Sequence, residues 1–177
     1  DLTIDLSAIA KGYAVDKISR YLNDKNMQNH MIDIGGEVTT GGFNSSGDKW
    51  VIGIQHPNSQ TSINKSQYSE SNPHTLIKLS DVSIATSGDY RNYYDFNGRR
   101  YSHIISPKSG YPIQNNISSV SVLSKECLNA DALATALMVM NIDEGISLTE
   151  ALDGYECFYI FKDNTTRYSS GFKDYLN

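Results

Sequence analysis

Residues 129–140 read NADALATALMVM, and the fold turns on them. Apolar and small side chains fill nearly every position, so the segment reads as a helix buried on most sides. Two positions break the pattern. Asp131 and Thr135 are four apart and share one face, one above the other. A carboxylate in a buried helix is costly unless something offsets it. Three offsets are open: a hydrogen-bond network, the positive end of the helix dipole, or a hard cation. Asn129 as N-cap would put Asp131 in the first turn, where the dipole favours the ionised form. That account leaves Thr135 unexplained.

Outward from this helix, the chain alternates between strand-like runs and a few helical stretches. Strands are expected at 2–6, 30–34, 50–55, 76–79, 82–85, 93–96, 100–105, 117–123, 156–161 and 165–169. A helix capped by Ser7 is expected to run to about residue 23, with Ala10, Ala14, Ile18, Tyr21 and Leu22 facing inward. Lys17, Arg20 and Asp24 fall outside. Lys11 stands in its first turn, where a cation opposes the dipole, a local fault that a bound anion would remove. A further helix is expected at 143–152. Gly35-Gly36 after a strand permits positive φ, either for a plain tight turn or for close approach of a ligand to the backbone. Asn97-Gly98 is a hairpin signal, and Asp163-Asn164 joins the last two long strands. Residues 57–74, PNSQTSINKSQYSESNPH, are polar and aperiodic, a surface loop or insertion, with His56 and His74 facing solvent at its ends. Strands in hairpins with helices set between groups point to an α+β fold with mostly antiparallel sheets.

Composition narrows the function classes. The 177 residues allow one domain, 1–177, with a full-sized core. With a formal net charge of −5 and no basic run, nucleic acid is not an expected partner. The longest apolar run is too short to span a bilayer. No signal peptide opens the chain; it starts in DLTIDLS and reads as the C-terminal part of something longer. Cys127 and Cys157, without a CxxC or a neighbouring His, read as two unrelated buried thiols more readily than as a disulfide. There is no GxGxxG and no Walker A, so neither a Rossmann nor a P-loop nucleotide site is supported. The run from Thr86 to Tyr94, rich in small hydroxyls with Gly88 and Arg91, could cradle phosphate oxygens or simply turn into the next strand.

Five stretches then stand in order: IDLSAIAKGYAVD at 4–16, IDIGGE at 32–37, IATSGDYRNYY at 84–94, SHIISPKSGYP at 102–112 and ADALATAL at 130–137. Together they resemble the ApbE family of flavin transferases. The resemblance covers the C-terminal half to two-thirds of a full member and leaves out residues 57–74. It implies an ApbE-like fold, FAD as substrate and Mg²⁺ as cofactor. It implies transfer of the FMN half of FAD to a Thr or Ser hydroxyl of an acceptor flavoprotein subunit, with release of AMP. By the same resemblance the metal is held by Asp131, Thr135 and the backbone carbonyl of Ala8, and flavin contacts come from Asp5, Lys11 and Ile105. Lys11 and Arg91 would add positive charge near the phosphates. His103 is the expected base for the acceptor hydroxyl, with Asp5 the competing one. One departure is Glu37, where family members often carry Asp or Asn. Members usually act outside the cytoplasmic membrane, periplasmic and tethered through an N-terminal lipidated Cys that this chain does not contain. Two alternatives keep the same pocket: an FAD pyrophosphatase with water as acceptor, and a non-catalytic flavin-binding protein.

Overall fold

The protein is described here from a computed structural model that covers residues 2–55, 73–89, 93–96 and 99–177. Its strands are β1 (His30–Ile34), β2 (Glu37–Gly41), β3 (Trp50–Ile54), β4 (Thr75–Leu79), β5 (Ser83–Gly88), β6 (Tyr93–Phe96), β7 (Arg99–Ser102), β8 (Ile117–Ser124), β9 (Glu156–Phe161) and β10 (Thr166–Tyr168). Its helices are α1 (Ala10–Asp24), α2 (Cys127–Val139) and α3 (Ile142–Glu150), with a 3₁₀ turn at Phe172–Tyr175. Six strands form one sheet in the order β1-β2-β5-β8-β9-β10, every pair antiparallel. Two antiparallel pairs, β3-β4 and β6-β7, stand apart from it. The fold is α+β with antiparallel sheets, as the sequence leads one to expect.

Successive side chains of a strand point to opposite faces of the sheet. On one face Ala85, Val120, Val122, Tyr159 and Phe161 meet Ala130, Ala134, Leu137 and Met138 of α2. On the other, Val38, Ile84, Leu123, Phe158 and Ile160 meet Ile54 of β3, Ile77 and Leu79 of β4, and Phe172 of the 3₁₀ turn. Both faces are therefore covered. This explains why all eight residues of β8, ISSVSVLS, are buried despite four serines. Ser121 Oγ bonds Thr86 Oγ1 at 2.7 Å, and Ser124 Oγ donates to Glu126 O at 2.6 Å. Buried hydroxyls are tolerated where such partners exist.

α1 lies beside α2, against β1 and β2. Its inner face is Gly12, Val15 and Asp16, while Ala10, Ile18 and Tyr21 are exposed, contrary to the expected apolar stripe. The reason is the partner. α1 meets the backbone at the start of α2, and a Cβ on Gly12 would come within 2.5 Å of Cys127 O. Only glycine permits that approach. One turn on, Asp16 Oδ1 accepts the N–H of Cys127 at 2.8 Å and Oδ2 that of Leu128 at 2.9 Å. The first N–H groups of a helix have no partner within it. Here a carboxylate from another helix supplies two acceptors, and Glu126, the residue before α2, makes no side-chain cap bond.

Other expectations shift at their ends. Residues 2–6 form no strand; Leu2, Ile4 and Leu6 are exposed and join no strand pair among the described residues. Residues 7–9 form a turn, and α1 starts at Ala10 after Ile9, without a Ser7 cap; instead the Ser7 N–H donates to Asp5 Oδ1 at 2.8 Å. β2 is an additional strand, made by the Gly35-Gly36 turn, with φ of 65° and 104°, that folds Glu37–Gly41 back on β1. α2 begins two residues before Asn129, so Asp131 lies beyond the first turn. His74 is half-buried, its ring edge-on to Phe158 at 5.9 Å, not facing solvent. Both cysteines are buried free thiols. The polar stretch 57–72, His56, Arg91 and the Asn97-Gly98 turn lie outside the described residues, although β6 and β7 pair in register on either side of that turn.

Asp16 is only 7 % exposed, so its loss leaves two helix N–H groups without acceptors. Asp16→Ala is expected to lower unfolding free energy by about 2–4 kcal/mol, with Asp16→Asn, which keeps one acceptor, costing roughly half as much. Urea titration followed by circular dichroism measures both; a loss for Asp16→Ala below about 0.5 kcal/mol would contradict the capping role.

Candidate functional site

Where β5 runs out beside the α1–α2 crossing, a cavity of about 370 Å³ opens. Its wall is drawn from five separate parts of the chain: Ser7, Ala8 and Lys11 around the start of α1; Glu37 of β2; Thr86, Ser87 and Gly88 of β5; His103, Ile104 and Ile105 after β7; and Asp131 and Thr135 of α2. Six of the eight residues singled out in the sequence meet here: Ala8, Lys11, His103, Ile105, Asp131 and Thr135. Asp5 does not line the cavity. Its exposed carboxylate accepts the Ser7 N–H, which holds its pKa below the ordinary carboxylate value. Arg91 lies outside the described residues.

Each side chain is aimed by its element. On α2, Asp131 and Thr135 are four residues apart and face the same way, as their spacing requires. Asp131 is 4 % exposed. Its Oδ2 accepts the backbone N–H of Gly12 in α1 at 3.0 Å. Of the three offsets open to a buried carboxylate, the fold supplies the hydrogen bond, not the helix dipole. Thr135 Oγ1 bonds Ser87 Oγ at 2.9 Å. Ser87 reaches it because alternation along β5 turns Ser87 toward α2 and Thr86 toward Ser121. After β7, Ile104 enters the core while His103 and Ile105 remain exposed at the cavity. An Ile105–Pro112 bridge and the Ile113 N–H to Ile104 O bond at 3.0 Å hold that segment in place.

The electrostatics centre on three charges. Lys11 pairs with Glu37, whose side chain is 2 % exposed against 46 % for the lysine. Burial pushes the Glu37 pKa up; the Lys11 ammonium opposes this and the Asp131 charge adds to it. Burial also raises Asp131, opposed by the Gly12 N–H and by Lys11. Two desolvated carboxylates thus share one ammonium. Glu37, a departure from the family's usual Asp or Asn in the sequence, is part of this wall. Its signal lay in the Gly-Gly turn, which folds β2 back and brings residue 37 over α1.

The oxygen donors on this wall are the carboxylates of Asp131 and Glu37, hydroxyls and backbone carbonyls. Among the described residues no three His, Cys, Asp or Glu side chains gather into a metal cluster. The oxygen donors suit a hard cation, with much of its coordination left to water or a bound ligand.

The chain also matches known proteins in sequence and fold. The ApbE family matches residues 1–159. The chain is 46 % identical over 151 residues to the FAD:protein FMN transferase of Vibrio cholerae, covering 85 % of this chain and 42 % of that protein. With the FAD:protein FMN transferase of Haemophilus influenzae it shares 38 % identity over 172 residues, covering 96 % and 47 %. Among solved structures it is similar to the flavin transferase ApbE from Vibrio cholerae, with a TM-score of 0.79 and 42 % identity over 99 % of this chain and 53 % of that one. It is also similar to an ApbE protein from Thermotoga maritima, with a TM-score of 0.84 and 28 % identity over 99 % and 54 %. The chain spans about half the length of the curated relatives it matches.

The raised Asp131 pKa fixes the sign of a stability test. With the folded-state pKa above the ordinary 3.8, the ionised carboxylate costs stability at neutral pH and above, and the cost fades as pH falls through the folded pKa toward that value. Asp131→Asn removes the charge and can still accept from Gly12. In metal-free buffer its Tm is expected to equal or exceed that of the parent at pH 8, with the gap closing toward pH 4. Thermal melts across that range measure it, and a gap that widens on acidification contradicts the burial argument.

Proposed function

The chain belongs to the ApbE family, and on that premise we propose that it serves Mg²⁺-dependent transfer of the FMN half of FAD to a Thr or Ser hydroxyl of an acceptor protein, releasing AMP. The observation that carries this reading is the meeting of Ala8, Lys11, His103, Ile105, Asp131 and Thr135 on one cavity wall from distant parts of the chain. The printed activity of the relatives, FAD:protein FMN transfer, supplies the reaction class.

The residues divide the work by their chemistry. Asp131, Thr135 and the carbonyl of Ala8 would hold Mg²⁺, and the fit rests on their being hard oxygens around a carboxylate that burial disfavours. The Ser87 hydroxyl, 2.9 Å from Thr135 Oγ1, orients the Thr135 hydroxyl, and with Thr135 as the donor of that bond its oxygen would keep its lone pairs for a cation. Bound there, the ion would neutralise charge building on the FAD pyrophosphate. Lys11 adds an ammonium on the same wall. In the transfer, the acceptor oxygen forms a bond to the FMN phosphorus while the bond to the bridging pyrophosphate oxygen breaks. That oxygen leaves with AMP, and the hydroxyl proton passes to His103. His103 lines the cavity and Asp5 does not, and a carboxylate held below its ordinary pKa is the weaker base. The same reading carries action on the periplasmic side of the bacterial inner membrane; among the described residues no helix is long and apolar enough to cross a membrane.

The test is to incubate the protein with FAD, Mg²⁺ and a Thr-bearing acceptor domain. AMP with an acceptor gaining the mass of FMN is the expected result. AMP with free FMN and no adduct would make it a pyrophosphatase, and retained FAD without AMP a binding protein. Asp131→Ala is expected to lower AMP release by about a hundredfold or more, and an unchanged rate would overturn the metal assignment.

A further inference from the structure

We propose that Glu37 is a positioning residue, which fixes the Lys11 ammonium on the cavity wall so that it meets the phosphates of the bound ligand. The inference rests on the flavin-transfer reading and adds to it a residue that the reaction chemistry does not itself require. Its basis is the contrast between the two members of the pair. Glu37 is 2 % exposed on β2, whose five residues are all buried, while the Lys11 side chain is 46 % exposed. Such a carboxylate has no freedom to follow a mobile partner; the lysine must come to it. Lys11 has four rotatable side-chain bonds and sits in the first turn of α1, where the helix dipole repels a cation. Left alone it would extend into water. Glu37 holds it over the cavity, whose lining includes both residues together with Asp131.

The backbone makes this rigid on both sides. Glu37 directly follows the Gly35-Gly36 turn and pairs with Ile34 in the β1–β2 register. Lys11 precedes Gly12, the residue pressed against the start of α2. The two side chains therefore close a bridge between the sheet and α1 at the cavity wall. An ammonium pinned this way is already oriented when an anion arrives, and little ordering remains to be done on binding. Arg20 and Glu126 also link α1 to the segment before α2, but that pair is exposed and far from this task.

The test is a double-mutant cycle on FAD affinity in metal-free buffer, read by quenching of flavin fluorescence. Glu37→Gln is expected to weaken binding by about tenfold. Lys11→Met is expected to weaken it similarly, and adding Glu37→Gln to Lys11→Met to change it by less than about twofold. A purely structural role predicts a Glu37→Gln penalty that persists in the Lys11→Met background, and that outcome, or parent-like affinity of Glu37→Gln, overturns the inference. Absence of FAD binding by the parent protein overturns the flavin reading itself, and this inference with it. Competitive acetylation of the parent protein supplies a check that needs no variant and no flavin: Lys11 is expected to react several-fold more slowly than exposed Lys78. Equal rates would overturn the pairing.

Discussion

Everything at the cavity depends on two helices touching backbone to backbone. α1 and α2 cross where Gly12 carries no side chain, and each reaches across with a carboxylate. Asp131 of α2 accepts the Gly12 N–H of α1, and Asp16 of α1 accepts the first two N–H groups of α2. The exchange is reciprocal: each helix satisfies a backbone group of the other. A substituent at Gly12 would press on Cys127 O and on Asp131 Cβ together, at 2.5 and 2.9 Å. The crossing therefore fixes helix separation and the aim of Asp131 in one contact. Lys11, one residue before Gly12, takes its place from the same contact.

The sheet contributes a different constraint. Because helices cover one face and β3, β4 and the 3₁₀ turn the other, its central strands have no wet side. Their hydroxyls must pair among themselves, and mostly they do, as in Thr39–Ser83 and Thr86–Ser121. Ser87 uses its hydroxyl toward α2 instead, and so places a polar group beside Thr135 without exposing the strand. The cavity is thus lined by side chains whose backbones are held by sheet and helix, while the segment carrying His103 and Ile105 is tied by a bridge and a hydrogen bond.

Much of this was legible in the chain. The strands expected at 50–55 and 156–161 stand at Trp50–Ile54 and Glu156–Phe161. The four-residue spacing of Asp131 and Thr135 placed both on one face of a buried helix. What failed was local reasoning about long-range partners. The inner face of α1 was sought among its apolar residues, yet it is Gly12, Val15 and Asp16, chosen by a helix more than a hundred residues away. No periodicity announces a glycine and an aspartate as a buried face. Residues 2–6 alternate like a strand but find no strand to pair with. β2 was missed for the opposite reason: EVTTG is short and not apolar, and its burial comes from the sheet and α1 around it. Glu37 inherits that difficulty, since nothing beside it in the sequence names Lys11 as its partner.

Asp16 lies 111 positions before the N–H group it caps. Seen in time rather than space, that separation orders assembly. The first turn of α2 cannot be completed by its own neighbours, since Glu126 offers no cap. Its acceptors on Asp16 arrive only when a loop of that length closes, a larger loss of chain entropy than forming either helix alone. The same closure delivers the Gly12 N–H to Asp131. Docking of α1 thus completes the start of α2 and the aim of Asp131 through the same contact.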